Sequence, residues 1–149
     1  MQKLIKLLSI IIPVIFLCFI TGCTSIKNSN FSNSQTAASV YFHKGVYMTS
    51  SPDQKISYKD FYIFYDEKSG YTEDSEMGIG LPFSCVQTDN AVKFRFGGSE
   101  EPEEVFNVKH VENDAITGSF ADGKMLVFTP VPEANPDNFD TIEYAKSKK

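Results

Sequence analysis

The chain has 149 residues, 19 acidic and 14 basic side chains for a formal charge of -5, 42% hydrophobic and 13% aromatic residues, no Trp and three cysteines. A nucleic-acid binder normally gathers its basic residues into a patch or stripe, whereas here Lys27, Lys44, Lys55, Lys59 and Lys68 are scattered through an acidic chain. Nucleic acid is therefore excluded as a partner.

Residues 1–6 carry Lys3 and Lys6 without an acid and lead into residues 7–20, apolar except for Ser9 and Pro13. An apolar stretch of about 14 residues after a basic start fits a secretory signal. A membrane-spanning helix needs about 20, and Pro13 would interrupt a short one. The stretch closes on Ile20-Thr21-Gly22-Cys23, which resembles the lipobox of bacterial lipoproteins: an aliphatic residue, two small residues and an obligatory Cys. The resemblance covers residues 1–23 only. It implies a signal peptide at 1–22, cleavage before Cys23, and a diacylglyceryl group on the Cys23 thiol. The partner so implied is a membrane of the bacterial cell envelope, with the rest of the chain exported. Two acyl chains matter because one alone binds a bilayer only marginally.

Removing Lys3 and Lys6 with the signal takes the formal charge to about -7. Cys18 leaves with the signal and Cys23 is taken by lipid, so Cys85 stands alone and no intramolecular disulfide is available. Residues 24–39 are rich in Ser, Asn and Thr, a composition that cannot bury enough apolar surface to order itself. With Cys23 they read as a lipidated tether, leaving residues 40–149 as one small domain.

Taken in order, residues 40–48 and 58–65 predict two or three strands, and 66–80 a long connection of the kind that often binds ligands. Residues 80–124 and onward predict a five-stranded antiparallel meander. Its Asp89-Asn90 turn sets Phe83 opposite Phe96, Cys85 opposite Phe94 and Gln87 opposite Val92. A three-residue loop at 112–114 sets Phe106 opposite Phe120, Val108 opposite Gly118 and His110 opposite Ile116. Asp122-Gly123, the strongest short hairpin signal, predicts a type I′ turn with Gly118 opposite Val127 and Ser119 opposite Leu126. The last strand is then apolar on both sides, so Leu126 and Phe128 need an outer cover. Residues 130–149, with a short helix capped by Asp137, are expected to supply it. The fold class is all-β: a small antiparallel meander of about 7–8 strands forming a calycin-like barrel or β-sandwich, with a short C-terminal helix.

Six of the seven tyrosines lie in the first third of the domain. Tyr47, Tyr58, Tyr62, Tyr65 and Tyr71 are the candidate ligand-binding residues, because Tyr is rigid, amphipathic and enriched in recognition surfaces. Cys85 falls on the inward face of its hairpin and reads as core filling. His43 and His110 lack partners at ligand spacing, with His110 on the core side, so no metal or other cofactor is expected. The acids Glu100, Glu101, Glu103 and Glu104, and Glu67, Glu73, Asp74 and Glu76, read as solvated loop charge. The function expected is a non-enzymatic binding module for an envelope or extracellular ligand or protein. The alternatives are a carboxylate-dependent envelope hydrolase and a structural or inhibitory lipoprotein without a pocket.

Overall fold

Period-two alternation decides the architecture. In β2 (Asp60–Phe64), Tyr62 and Phe64 join one apolar cluster while Phe61 and Ile63 join another. This strand must therefore be covered on both faces. The structure, a computed structural model, describes residues 39–53 and 58–149. The expected signal, Cys23 and all but the last residue of the expected tether lie outside the described residues.

β1 (Gly45–Ser50) precedes β2, and β3 (Ser69–Asp74), β4 (Pro82–Gln87), β5 (Ala91–Phe96), β6 (Glu104–Glu112), β7 (Ala115–Ser119) and β8 (Met125–Pro130) follow. Each strand pairs antiparallel with the next, and β8 pairs with β1 to close a barrel in sequence order. The all-β meander is thus a closed, calycin-like barrel rather than a sandwich, followed by the short C-terminal helix α1 (Thr141–Ser147). No helix among the described residues is long and apolar enough to cross a membrane.

One cluster fills the barrel. Phe42, Phe64, Phe83, Phe94, Phe106 and Phe128 are all at most 4% exposed. Their rings stack or meet edge to face, with Phe42–Phe64 at 4.7 Å and Phe64–Phe83 at 4.9 Å between centroids, the arrangements that aromatic quadrupoles favour. Two inward positions hold glycine for lack of room: a Cβ on Gly70 would stand 2.4 Å from the Phe83 ring, and one on Gly118 2.5 Å from the Phe106 ring. The middle of the barrel is a packed core.

The second cluster lies outside, where Val46, Met48, Phe61 and Ile63 of β1 and β2 meet Val131. The tail covers them, with Phe139 and Tyr144 centred 5.6 and 6.0 Å from the Phe61 ring. It does not cover Leu126 and Phe128, because β8 is shifted by one residue from the expected register: Gly118 faces Leu126 and Ile116 faces Phe128. The cause is the turn. Only Gly123 of the Asp122-Gly123 pair takes a positive φ, 79°, and its N–H donates to the Phe120 carbonyl at 3.0 Å. The turn therefore spans residues 120–123 rather than centring on Asp122-Gly123, and Leu126 and Phe128 turn inward with Gly118 and Ile116.

The Asp89-Asn90 hairpin has the expected register throughout. In β6–β7, Val108 faces Gly118 as expected, but beyond a bulge between Val108 and His110, His110 faces Thr117 and Val111 faces Ile116. Asn113 and Asp114 both take positive φ, 50° and 63°, which makes a two-residue turn of the type I′ kind. The bulge absorbs the extra residue and keeps the apolar face continuous. His110 is consequently exposed beside Glu112, not on the core face.

Two further expectations are corrected. Residues 66–80 are not a long loop, because β3 lies within them. The Asp66 carboxylate accepts from the N–H groups of Lys68 and Ser69, both at 2.7 Å, and folds a tight turn into β3. The Lys68 N–H, and next the Ser69 hydroxyl that also donates to it at 3.0 Å, hold its carboxyl below the usual range. The N-cap of α1 is Asp140, whose carboxylate accepts from the Glu143 N–H at 2.8 Å. Asp137 pairs with Lys44 at 2.7 Å instead, since residues 135–138 form a turn of their own, with the Asn138 N–H donating to the Asn135 carbonyl at 3.2 Å.

One end of the barrel is shut by residues 40–43. Phe42 inserts into the core, and Gln87 holds the backbone behind it. The Gln87 Oε1 accepts from the N–H groups of Tyr41 and Phe42 at 2.8 and 2.9 Å, while its Nε2 donates to the carbonyls of Phe42 and Glu67 at 2.8 and 2.9 Å. Gln87→Leu keeps much of the volume and removes all four bonds. It should cost about 2–4 kcal/mol through the backbone groups it orphans, read as a lowered urea midpoint. An unchanged midpoint would mean that Phe42 and the bonds between His43 and Tyr47 hold the plug without Gln87.

Candidate functional site

Toward the other end, the inward-facing positions stop being phenylalanine cores. Following each strand's inward phase outward leads to Thr49 on β1, Asp60 on β2, Asp74 on β3, Phe96 on β5, Glu104 on β6 and Leu126 on β8. Together these residues line a cleft of about 460 Å³. Tyr62, Phe96 and Leu126 pack against the core cluster and form its floor, with the Phe96 ring stacked on Phe94 at 5.5 Å. Its walls carry the carboxylates of Asp60, Asp74 and Glu104 and one cation, Lys124, while Glu73 borders it from the outward phase of β3.

The electrostatics follow from that crowding. Burial pushes the Asp60 carboxyl above its ordinary value and the charge of Asp74 adds to the effect, against Lys59 and Lys124. Asp60 and Asp74 are direct partners across β2 and β3. The Tyr62 phenol is pushed well up by burial, then by the negative charges of Glu104 and Asp60. Glu73 accepts from the Thr141 hydroxyl at 2.5 Å. Asp74 accepts from the N–H groups of Glu76 and Met77 at 2.7 and 3.1 Å. Among the described residues, no ion pair within 4 Å involves any of these four carboxylates.

Asp60 makes the cleft's charge testable. Its carboxyl lies above 3.8 in the fold, so between 3.8 and the raised value the folded protein binds more protons than the unfolded chain, and stability falls as pH rises through that window. At neutral pH the ionised carboxylate is destabilising. Asp60→Asn should therefore raise Tm at pH 7, with the gain vanishing below pH 3.8. Thermal melts at pH 3 and pH 7 check both signs, and an Asn variant that melts lower at pH 7 contradicts the assignment.

The five candidate tyrosines do not converge. Tyr62 lies on the cleft floor. Tyr47 is in the barrel core, its hydroxyl donating to the His43 carbonyl and accepting from the His43 N–H, and burial raises its pKa. Tyr58 packs with the tail outside the barrel, 6.2 Å from Tyr144. Tyr65 is 46% exposed just beyond the opposite end of β2, and Tyr71 is half-buried on β3. Cys85 is buried, and burial lifts its thiol to about 11.

The two acidic groups are divided as well. Asp74 and Glu104 face the cleft and Glu73 borders it, bonded to Thr141, while Glu76 pairs with Lys59, Glu103 with Arg95 and Glu67 with His43. Among the described residues, no three His, Cys, Asp or Glu side chains gather closely enough to hold a metal ion. Sequence reasoning passed over Asp60, Lys124 and Leu126 as site residues. Asp60 and Glu104 did carry a signal: each is two residues before an inward aromatic, Tyr62 or Phe106, so each continues the core face of its strand as an acid. Comparison with known protein families, curated proteins and solved structures finds no match to the chain.

Proposed function

We propose that the protein is a lipid-anchored, non-enzymatic binding module of the bacterial envelope that takes its ligand or partner at this cleft. The observation that carries the binding reading is that a barrel plugged by Phe42 at one end and packed through its middle opens into an aromatic-floored, acid-walled cleft at the other. An acid kept ionised there at a cost in stability is what a recognition site produces. The anchoring half rests on the resemblance of residues 1–23 to lipoproteins. Within the domain, Val40 lies beside Gln87 at the plugged end, opposite the cleft.

A photo-crosslinking amino acid placed at Ile79, beside the cleft, should trap a partner in envelope-bearing cells. The same group at Val111, 48% exposed near the plugged end, should not. Adducts at Val111 with none at Ile79 would reject the assignment. Mass spectrometry of the mature chain tests the anchor, with two acyl chains expected at Cys23.

A hydrolase is favoured by one observation, the raised Asp60 carboxyl opposite Asp74. A carboxyl raised by burial beside a second carboxylate suits acid–base chemistry. Both Asp74 contacts with the N–H groups of Glu76 and Met77 fall on one oxygen, which leaves the other for substrate. Turnover of cell-wall polysaccharide that Asp60→Asn abolishes would establish this reading over simple binding.

A further inference from the structure

The connection between β3 and β4 holds Met77, Ile79 and Leu81 at 67%, 64% and 53% exposure. Ile79 and Leu81 also line the cleft, so this apolar strip runs onto the floor formed by Tyr62, Phe96 and Leu126. The strip is held in place. The Asp74 N–H donates to the Ile79 carbonyl at 2.8 Å, the Thr72 N–H to the Leu81 carbonyl at 2.9 Å, and the Ser75 N–H to the Lys59 carbonyl at 2.7 Å. Helix α1 props the turn from outside: a Cβ on Gly78 would lie 3.3 Å from Ile142 Cδ1, and the Thr141 hydroxyl donates to Glu73. A contiguous apolar surface rimmed by polar groups marks an interaction site, and one already ordered loses little entropy on binding.

Charge selects the occupant. The strip borders three inward-phase carboxylates, Asp60, Asp74 and Glu104, and one lysine, and those carboxylates do not converge on a point where a metal ion would sit. Spread negative charge fits several separated cations. It also opposes an anionic lipid surface, which attracts basic segments and repels acidic ones. We infer that the strip and the cleft form one docking surface for a segment of a partner protein in which Lys or Arg alternates with large apolar side chains. The apolar groups pack on Ile79, Leu81 and the aromatic floor, and the cations meet Asp60 and Glu104. This rests on the cleft being the binding surface and adds the chemistry of the partner.

The test uses the full-length protein in neutral-lipid nanodiscs, with empty discs as reference. Its probe is a ten-residue peptide alternating Lys and Leu. Binding should appear on protein-bearing discs and weaken as salt rises. It should drop at least about tenfold in Ile79→Ser and in Glu104→Gln, two exposed changes whose folding is checked by unchanged thermal melts. A Lys-Ser peptide that binds equally, or an Ile79→Ser variant with full affinity, would remove the strip from the site. Equal binding of a Glu-Leu peptide would remove the charge. Tight association with vesicles rich in anionic lipid would replace a protein partner by a membrane. If the Lys-Leu peptide fails while crosslinks at Ile79 persist, this partner class is wrong and the cleft stands; loss of both rejects the cleft itself.

Discussion

Phe64→Ala should destabilise the protein by about 3–5 kcal/mol, the range for a fully buried phenylalanine. Phe64 is 0% exposed. Its ring stacks on Phe42 and meets Tyr47, Phe83 and Phe94 at 5.5, 4.9 and 6.3 Å. A closed barrel relaxes poorly around such a loss, because each strand is held by hydrogen bonds on both sides, so the cavity stays open beneath the plug. For a domain of this size the melting temperature should fall by roughly 15–30 °C. Phe96→Ala, at the half-buried cleft floor, should cost clearly less. Urea titrations of the two variants make the comparison, and equal losses would mean that the barrel's middle is no better packed than its mouth.

Truncation after Pro130 is the second large effect. It removes Val131, Phe139 and Tyr144 and uncovers Val46, Met48, Phe61 and Ile63, all at most 5% exposed in the intact chain. Each buried side chain of this kind contributes about 1.5–3 kcal/mol, so their combined exposure rivals the roughly 5–15 kcal/mol that stabilises a typical domain. The truncated chain should not persist as a folded monomer, and the newly bare face of β1 and β2 should drive association. Circular dichroism and size-exclusion chromatography read the two consequences. A truncated protein that keeps its melting temperature and elutes as a monomer would make the tail an appendage. Its removal also takes away the Ile142 and Thr141 contacts that prop the β3–β4 turn beside the cleft.

How far the fold can be read from the chain depends on where the deciding interaction lies. The Asp89-Asn90 hairpin is legible because alternation alone separates its two faces: Phe83, Cys85 and Gln87 inward, Ser84 and Val86 outward. β3 is not legible. Its sequence SGYTED shows no apolar alternation, because its inward residues are a glycine with no room for a side chain and two polar groups facing the cleft. The registers of β6–β7 and β7–β8 fail at their turns for a related reason. A bulge and a turn displaced by the left-handed Gly123 each add one residue, and one residue is enough to reverse inside and outside.

The cleft follows the same division. Tyr62 is found from its residue type, but Asp60 on β2, Glu104 on β6 and Lys124 just before β8 are distant in sequence and share one mouth only once β8 has paired with β1 to close the barrel. By itself the sequence determined an antiparallel meander of seven or eight strands, with barrel and sandwich both left open, and the inward place of Cys85. The tertiary structure alone decided that phenylalanines pack the barrel's middle, that the tail covers β1 and β2 rather than β8, and that acids ring an apolar floor at the open end. The physical reason is range. Alternation and turn chemistry act over a few residues, whereas a filled core, a covered outer face and a shared cleft depend on side chains meeting across a closed barrel.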